Sequence, residues 1–250
     1  MVNDNDSHLQ CKEIVDRTHR LGILPSMNRE CNEWARLYDL LLQAYGRQDW
    51  WPGRENPFEI IVGAILTQRT TWANAARAVE LLRHEGFLTP QAIRQVDPAR
   101  LEELIRPAGF YRAKAATLQG FCDWIESTGG LAQFLSQPLA TLRPALLSIR
   151  GIGEETADAI LVYAVGLPSF VIDAYTRRIL GRLGWIKGDE SYAEIQSCLT
   201  AALPPDVQVF AEAHALIVHH GKTHCRPQPI CEGCPLSCLC DFSRYQKEKP

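Results

Sequence analysis

The sequence predicts an all-α protein, and three observations carry that prediction. Apolar residues recur at helical spacing along most of the chain, Gly and Pro break it at short intervals, and no segment alternates apolar and polar residues as a half-buried strand does. Residues 29–45 place Trp34, Leu37, Tyr38, Leu41, Leu42 and Tyr45 on one helical face, and Gly46 ends the run. After Trp50-Trp51-Pro52-Gly53 the spacing predicts helices over 57–68, 71–85, 89–94, 98–106, 111–128, 130–135, 138–148 and 155–165. Gly86, Pro90, Pro98, Pro107-Ala108-Gly109, Gly129-Gly130, Pro138 and Gly151-Ile152-Gly153 punctuate them. Further helices fit 174–184, 190–202 and 206–219. Residues 1–27 are polar and aperiodic and read as a poorly ordered extension.

The chain has 250 residues, 46% hydrophobic and 22% charged, enough to bury a core in one large or two small domains. Its longest apolar runs, Phe58–Leu66 and Ala157–Val165, are far too short for a membrane span. No apolar stretch with a basic flank opens the chain. A cytosolic protein with no membrane partner is the expectation. A net charge of −3 and a pI near 6.2 exclude a uniformly basic nucleic-acid binder. Phosphate affinity depends on where cations sit rather than on their sum, and the run Arg177–Lys187 is a candidate cationic face.

Nine cysteines are spread unevenly. Cys11, Cys31, Cys122 and Cys198 are scattered, whereas Cys225, Cys231, Cys234, Cys238 and Cys240 crowd into sixteen residues. An odd total argues against a disulfide framework and for a metal site. Cys225, Cys231, Cys234 and Cys240 supply four thiolates at spacings of five, two and five, with Cys238 a rival for the fourth place. Four thiolates suit a [4Fe–4S] cluster or a Zn²⁺ ion, and the spacing alone does not choose. Lys222, His224 and Arg226 lie beside or within this loop, which suggests a loop shaped to touch phosphate.

The most informative stretch runs from Leu146 to Leu161, where two helices meet at Gly151-Ile152-Gly153. Glycines there permit positive φ and close backbone approach. The second helix starts just past the corner, so its free N–H groups and positive dipole end can face a phosphate. A hairpin of this kind grips one strand without reading sequence, which makes Arg150, Gly151, Ile152, Gly153 and Thr156 candidate DNA contacts. A bare Gly-x-Gly is usually an ordinary turn; apolar residues on both sides with Thr-Ala following are far rarer. Eighteen residues beyond Glu155, Asp173 interrupts an apolar segment and precedes a helix. Its plain role is an N-cap worth about 1 kcal/mol. A capping carboxylate stays ionised, and an ionised carboxylate is what an oxocarbenium-like sugar needs when a glycosidic bond breaks.

Gly-Ile-Gly with Thr-Ala, then Val171-Ile172-Asp173, then a cysteine cluster about fifty residues on, resembles the endonuclease III superfamily of helix-hairpin-helix DNA glycosylases. Leu66-Thr67-Gln68 and Gly109-Phe110-Tyr111-Arg112-Ala113-Lys114-Ala115 support it, and the likeness covers residues 30–243. It implies a DNA-binding cleft flanked by two helical domains. One is a six-helix barrel with the hairpin over 55–167; the other combines 28–54 and 168–250 and carries the cluster loop at 225–240. It further implies a [4Fe–4S] cluster on Cys225, Cys231, Cys234 and Cys240, and double-stranded DNA as partner of a monomer in the bacterial cytosol. By resemblance, Gln68 enters the gap that a flipped nucleotide leaves.

One departure bears on the chemistry. Bifunctional members carry, two residues after the last hairpin glycine, a lysine that attacks the sugar as a Schiff-base nucleophile. This chain has Glu155 there, and no other lysine adjoins the motif. Hydrolysis near Asp173, leaving the abasic site uncut, is the resulting expectation; Glu155 orients something in the pocket or is a solvated helix-start acid. Loss of the lysine suits a base that already leaves easily, such as a purine made cationic by ring methylation. Such a base needs an aromatic pocket, with cation–π attraction of about 0.5–2 kcal/mol. Trp51 or Trp50 together with Trp72 resembles the stacking pair of the 3-methyladenine DNA glycosylase III family; read plainly, these tryptophans are core or interface packing. Two further readings stand beside this one. They are an endonuclease III-type glycosylase and lyase for oxidised pyrimidines, and a non-catalytic helix-hairpin-helix DNA-binding protein.

Overall fold

The structure, a computed structural model, describes residues 26–48 and 56–247. Trp50 and Trp51 lie outside the described residues, as does the expected extension apart from Ser26 and Met27. Among the described residues there are helices and no strand. They are α1 (Ser26–Tyr45), α2 (Pro57–Thr67), α3 (Trp72–His84), α4 (Pro90–Gln95), α5 (Pro98–Leu104), α6 (Tyr111–Ser127) and α7 (Gly130–Leu135). The series continues with α8 (Leu139–Ser148), α9 (Glu154–Ala159), α10 (Ala174–Leu183), α11 (Tyr192–Ala202), α12 (Val207–Thr223) and α13 (Asp241–Lys247). No described helix is long and apolar enough to cross a membrane.

Local chemistry fixes where most helices start. Asn56, Thr71, Thr89, Asp97, Asp173 and Ser191 each cap a helix by accepting first-turn N–H bonds. Pro57, Pro90 and Pro98 sit inside first turns, where a missing N–H costs nothing. At Ser191 the Glu194 side chain returns a bond to the cap, completing a capping box.

Four details depart from the periodicity. The helix expected over 155–165 is α-helical only through Ala159 and continues as a π-helical turn over Ile160–Val165. A 3₁₀ turn occupies Arg106–Ala108. Helix α12 runs on through Gly221 to Thr223, because that glycine is a packing residue rather than a stop: a Cβ there would lie 2.4 Å from the Tyr175 ring. The C-terminal α13 carries too short and polar a pattern to be read from sequence.

The chain divides into two compact units, one of residues 49–171 and 206–211, the other of the remainder. In the first, α2 is buried on nearly every side, through Phe58 and Ile60 to Leu66. It packs on α3, α6 and the π turn, and Leu82, Ile93, Leu101, Phe121 and Leu146 complete the surrounding core. In the second, α1 packs on α11, and the Trp34 ring meets Trp185 edge-on with centroids 5.0 Å apart.

Candidate functional site

In the first unit the hairpin joins α8 to α9 through Ile149–Gly153. The two glycines serve different ends. Gly151 has φ +91, and a Cβ on it would fall 2.1 Å from Thr117 Oγ1, so both conformation and space demand glycine. Gly153 is extended at φ −96 and faces open space, so the expectation of positive φ holds at Gly151 and not here. Gly153 is instead the cap of α9, with no side chain bonded to the first-turn N–H groups. Ile152 is buried and anchors the corner; Arg150 and Glu155 are exposed. Behind the hairpin, buried Asp158 accepts from Arg143 Nε at 2.8 Å, Arg143 Nη2 at 3.0 Å and Ser169 Oγ at 2.6 Å, locking α8 to α9.

Gln68, at the end of α2, is tied to this corner. Its Nε2 donates to Gly151 O at 2.8 Å and to Thr156 Oγ1 at 2.9 Å. Trp72, at the start of α3, is partly buried and packs against the hydrophobic core. The sequence reading missed two neighbours. Phe110 is 63% exposed with a left-handed φ of +48, and the next residue after Gln68, Arg69, is exposed at φ +51. Lys114 is buried, and its Nζ donates to Leu66 O at 2.9 Å and Ala108 O at 2.8 Å. Burial pulls its ammonium down to about 8.

In the second unit, Asp173 caps α10. Its Oδ1 accepts from Thr176 N at 2.7 Å and Thr176 Oγ1 at 2.9 Å. Its Oδ2 faces His214 Nε2 at 3.5 Å, within ion-pair reach, and both residues are buried. Burial alone would raise the Asp173 carboxyl; the His214 contact and the Thr176 donors outweigh it and hold the group below the usual carboxylate range. His214, on α12, carried no signal in the sequence beyond being one of several histidines.

The same unit brings Cys225, Cys231, Cys234 and Cys240 to the wall of a single cavity, which encloses about 350 Å³ counting the solvent at its mouth. Cys238 is disulfide-bonded, whereas Cys225, Cys231, Cys234 and Cys240 are free thiols. Burial pushes the Cys234 thiol up to about 11, and charge on Cys240, Cys225 and Cys231 adds to that. Arginines of α10 hold the loop. Arg178 donates to Cys225 O at 2.8 Å and Gly221 O at 3.0 Å, and Arg182 to Arg226 O, Pro227 O and, at 3.3 Å, Cys225 Sγ. Arg177 donates to Glu190 O. Within the run 177–187, Arg177, Arg178 and Arg182 are partly exposed and bonded to backbone carbonyls, and Lys187 is exposed.

The helical fold and its glycine-cornered hairpin define the class, a helix-hairpin-helix protein. Residues 62–205 match the model of the HhH-GPD superfamily of base excision DNA repair proteins. A Methanocaldococcus jannaschii protein, provisionally named a DNA repair glycosylase, is 45% identical over 208 residues, 82% of this chain and 94% of that one. Endonuclease III of Thermotoga maritima is 30% identical over 190 residues, 76% of this chain and 84% of the enzyme. Among solved structures, a Helicobacter pylori 3-methyladenine DNA glycosylase bound to 1,N6-ethenoadenine is similar at TM-score 0.67 and 28% identity, covering 77% of this chain and 97% of that one. A non-covalent endonuclease III–DNA complex reaches TM-score 0.75 at 25% identity, covering 91% and 100%. The chain belongs to the HhH-GPD superfamily of base excision DNA repair proteins and is a DNA N-glycosylase.

Proposed function

We infer that the chain is a monofunctional glycosylase that flips alkylated purines, 3-methyladenine first, out of double-stranded DNA and hydrolyses their N-glycosidic bond. The observation that carries this reading is the absence of an amine where a Schiff-base nucleophile would stand: Glu155 fills that place in the first turn of α9. Lys114 is no substitute, since it is buried with both backbone bonds made. The similarity to a 3-methyladenine glycosylase supports the substrate class.

In this reading the uncapped N-terminus of α9, with Arg150, Gly151, Ile152, Gly153 and Thr156, receives a strand phosphate. Gln68 fills the space of the extruded nucleotide, and exposed Phe110 is an apolar wedge between base steps. Trp72, with Trp50 or Trp51, stacks on the flipped base. A cationic purine departs as a neutral molecule with the electron pair of the C1′–N bond. Asp173, held ionised by the Thr176 donors on Oδ1 and by His214 facing Oδ2, stabilises the positive sugar through its negative charge. A water then forms the C1′–O bond and loses its proton to solvent.

Cys225, Cys231, Cys234 and Cys240 fit a [4Fe–4S] cluster. Burial first, and then charge on the neighbouring cysteines, disfavours the thiolate at Cys234, so four thiolates lining one cavity need a positive centre. When bound, the cluster supplies structural cross-linking of the 225–240 loop, and the hydrolysis above runs through none of its atoms. An absorbance scan with iron, sulfide and zinc analysis of the purified protein distinguishes cluster from zinc.

The endonuclease III relatives favour a second reading, with oxidised pyrimidines as substrate. The deciding experiment incubates the protein with alkylated duplex and, separately, with duplex containing an oxidised pyrimidine. Free base and strand breaks are followed before and after hot alkali. Released methyladenine, with breaks only after alkali, supports the first reading; direct nicking at the oxidised pyrimidine replaces it with the second.

A further inference from the structure

Two exposed residues of the first unit, Arg69 and Phe110, hold left-handed backbone conformations that side chains other than glycine rarely adopt. Such backbone strain persists only where the surroundings over-determine it. Lys114 is what the surroundings supply. Its Nζ bridges Leu66 O, three residues before Arg69, and Ala108 O, two before Phe110. Both acceptors lie at the C-terminal end of a helical segment, where carbonyls lack intrahelical partners and a positive group is favoured. No carboxylate contact to Lys114 is found among the described residues: its bonds go to main-chain carbonyls alone. Beyond Leu66, Gln68 continues the chain of contacts to Gly151 O and Thr156 Oγ1 of the hairpin.

We propose that Lys114 is a positioning residue for nucleotide extrusion, tying the loop that carries Gln68 and Arg69 to the loop that carries Phe110 so that both present their exposed residues to the duplex in one fixed arrangement. The proposal rests on the reading of Gln68 and Phe110 as residues that enter the base stack. A cation kept in a buried site merely for packing would be replaceable by methionine; a tie between two backbone segments would not. The amine, even when neutral, has one N–H for each carbonyl, and removing it orphans both.

The test is a double-substitution cycle of Lys114→Met and Phe110→Ala. The probe is a duplex with a stable abasic-site analogue and 2-aminopurine opposite it, whose fluorescence reports unstacking without any chemistry. Single-turnover base release from alkylated duplex is the second readout. Each single change is expected to lower the fluorescence rise and to slow release, Lys114→Met by on the order of 100-fold, the scale of a misplacement by about 1 Å. Added to Phe110→Ala, Lys114→Met should cost clearly less than it does alone, because the part of its effect that runs through Phe110 is already lost while the part through Gln68 remains. Fully additive effects in both readouts overturn the proposal, as does an unchanged fluorescence rise in Lys114→Met. Should Lys114→Met not fold, Lys114→Gln, which keeps one donor, takes its place in the cycle. Failure of the substrate reading looks different: wild-type protein would unstack the probe yet release no alkylated base.

Discussion

At the scale of single residues, the decisive groups are those whose surroundings fix their charge. Asp173 is buried, yet Thr176 and His214 keep it ionised. Asp173→Asn preserves the shape of the cap and removes the charge. Base release should fall by at least about a hundredfold, while the affinity for an abasic-analogue duplex stays within about threefold, measured by single-turnover kinetics and titration. Lys114 gives a pH signature in stability. Its ammonium sits at about 8 in the folded chain against 10.5 when free, so the unfolded chain binds more protons between those values. Its contribution is therefore most favourable above pH 10.5 and is lost as the pH falls to 8, a span of about 3 kcal/mol by the conversion of pKa into free energy. Denaturant midpoints across this window should rise with pH in the wild type and lose that component in Lys114→Met. Asp173 was legible in the sequence because a polar residue inside Val-Ile-Asp-Ala stands out. Lys114, Phe110 and His214 were not, because what distinguishes them is burial, exposure or backbone angle in three dimensions.

At the scale of elements, helix starts were legible wherever a cap or an N-terminal proline marks them, and the hairpin was legible from its glycines. What each glycine does was only half legible. Gly151 needs its positive φ and the space beside Thr117; Gly153 needs neither. This contrast separates folding from function. Gly151→Ala should destabilise the chain by about 1–3 kcal/mol, through backbone strain and the clash, and weaken DNA binding with it. Gly153→Ala should shift stability by less than about 0.5 kcal/mol, since its Cβ meets nothing. It nevertheless puts a methyl group in front of the uncapped N–H groups of α9, so duplex affinity should drop several-fold whatever the sequence. Thermal melts paired with binding titrations check both; unimpaired binding by Gly153→Ala would show that no phosphate sits there. The partners of the α10 arginines were not legible, because charge in a sequence does not show its partner: Arg178 and Arg182 bond carbonyls of the 221–227 segment. The π turn over Ile160–Val165 left no sequence signal, since an i+5 register uses the same apolar residues as an i+4 one.

At the scale of the whole molecule, a net charge of −3 coexists with a DNA-processing family because bulk charge speaks to solubility and steering, not to a local grip. The cysteine loop poses a sharper question, namely how far its influence reaches. The unit built around α2 has a core of its own, from Phe58 to Leu161, to which no cysteine of the loop contributes. The other unit depends on the loop in a direct way. Arg178 and Arg182 are satisfied by its carbonyls, Gly221 packs on Tyr175, and the Tyr45 hydroxyl bonds His220 Nδ1 at 2.8 Å while His220 Nε2 lies 3.9 Å from Cys234 Sγ. If a cluster is held there, its removal should loosen α1, α10, α12 and α13 while leaving α2 to α9 protected. Native-state hydrogen exchange before and after cluster removal under chelator and oxidant measures this directly. Amides of 174–183 and 212–223 should exchange faster, and those of 57–67 and 111–127 should keep their rates. Uniform acceleration along the chain would mean that the two units unfold as one, so that stability is pooled across both cores; no acceleration anywhere would mean that the arginine bonds alone hold the loop.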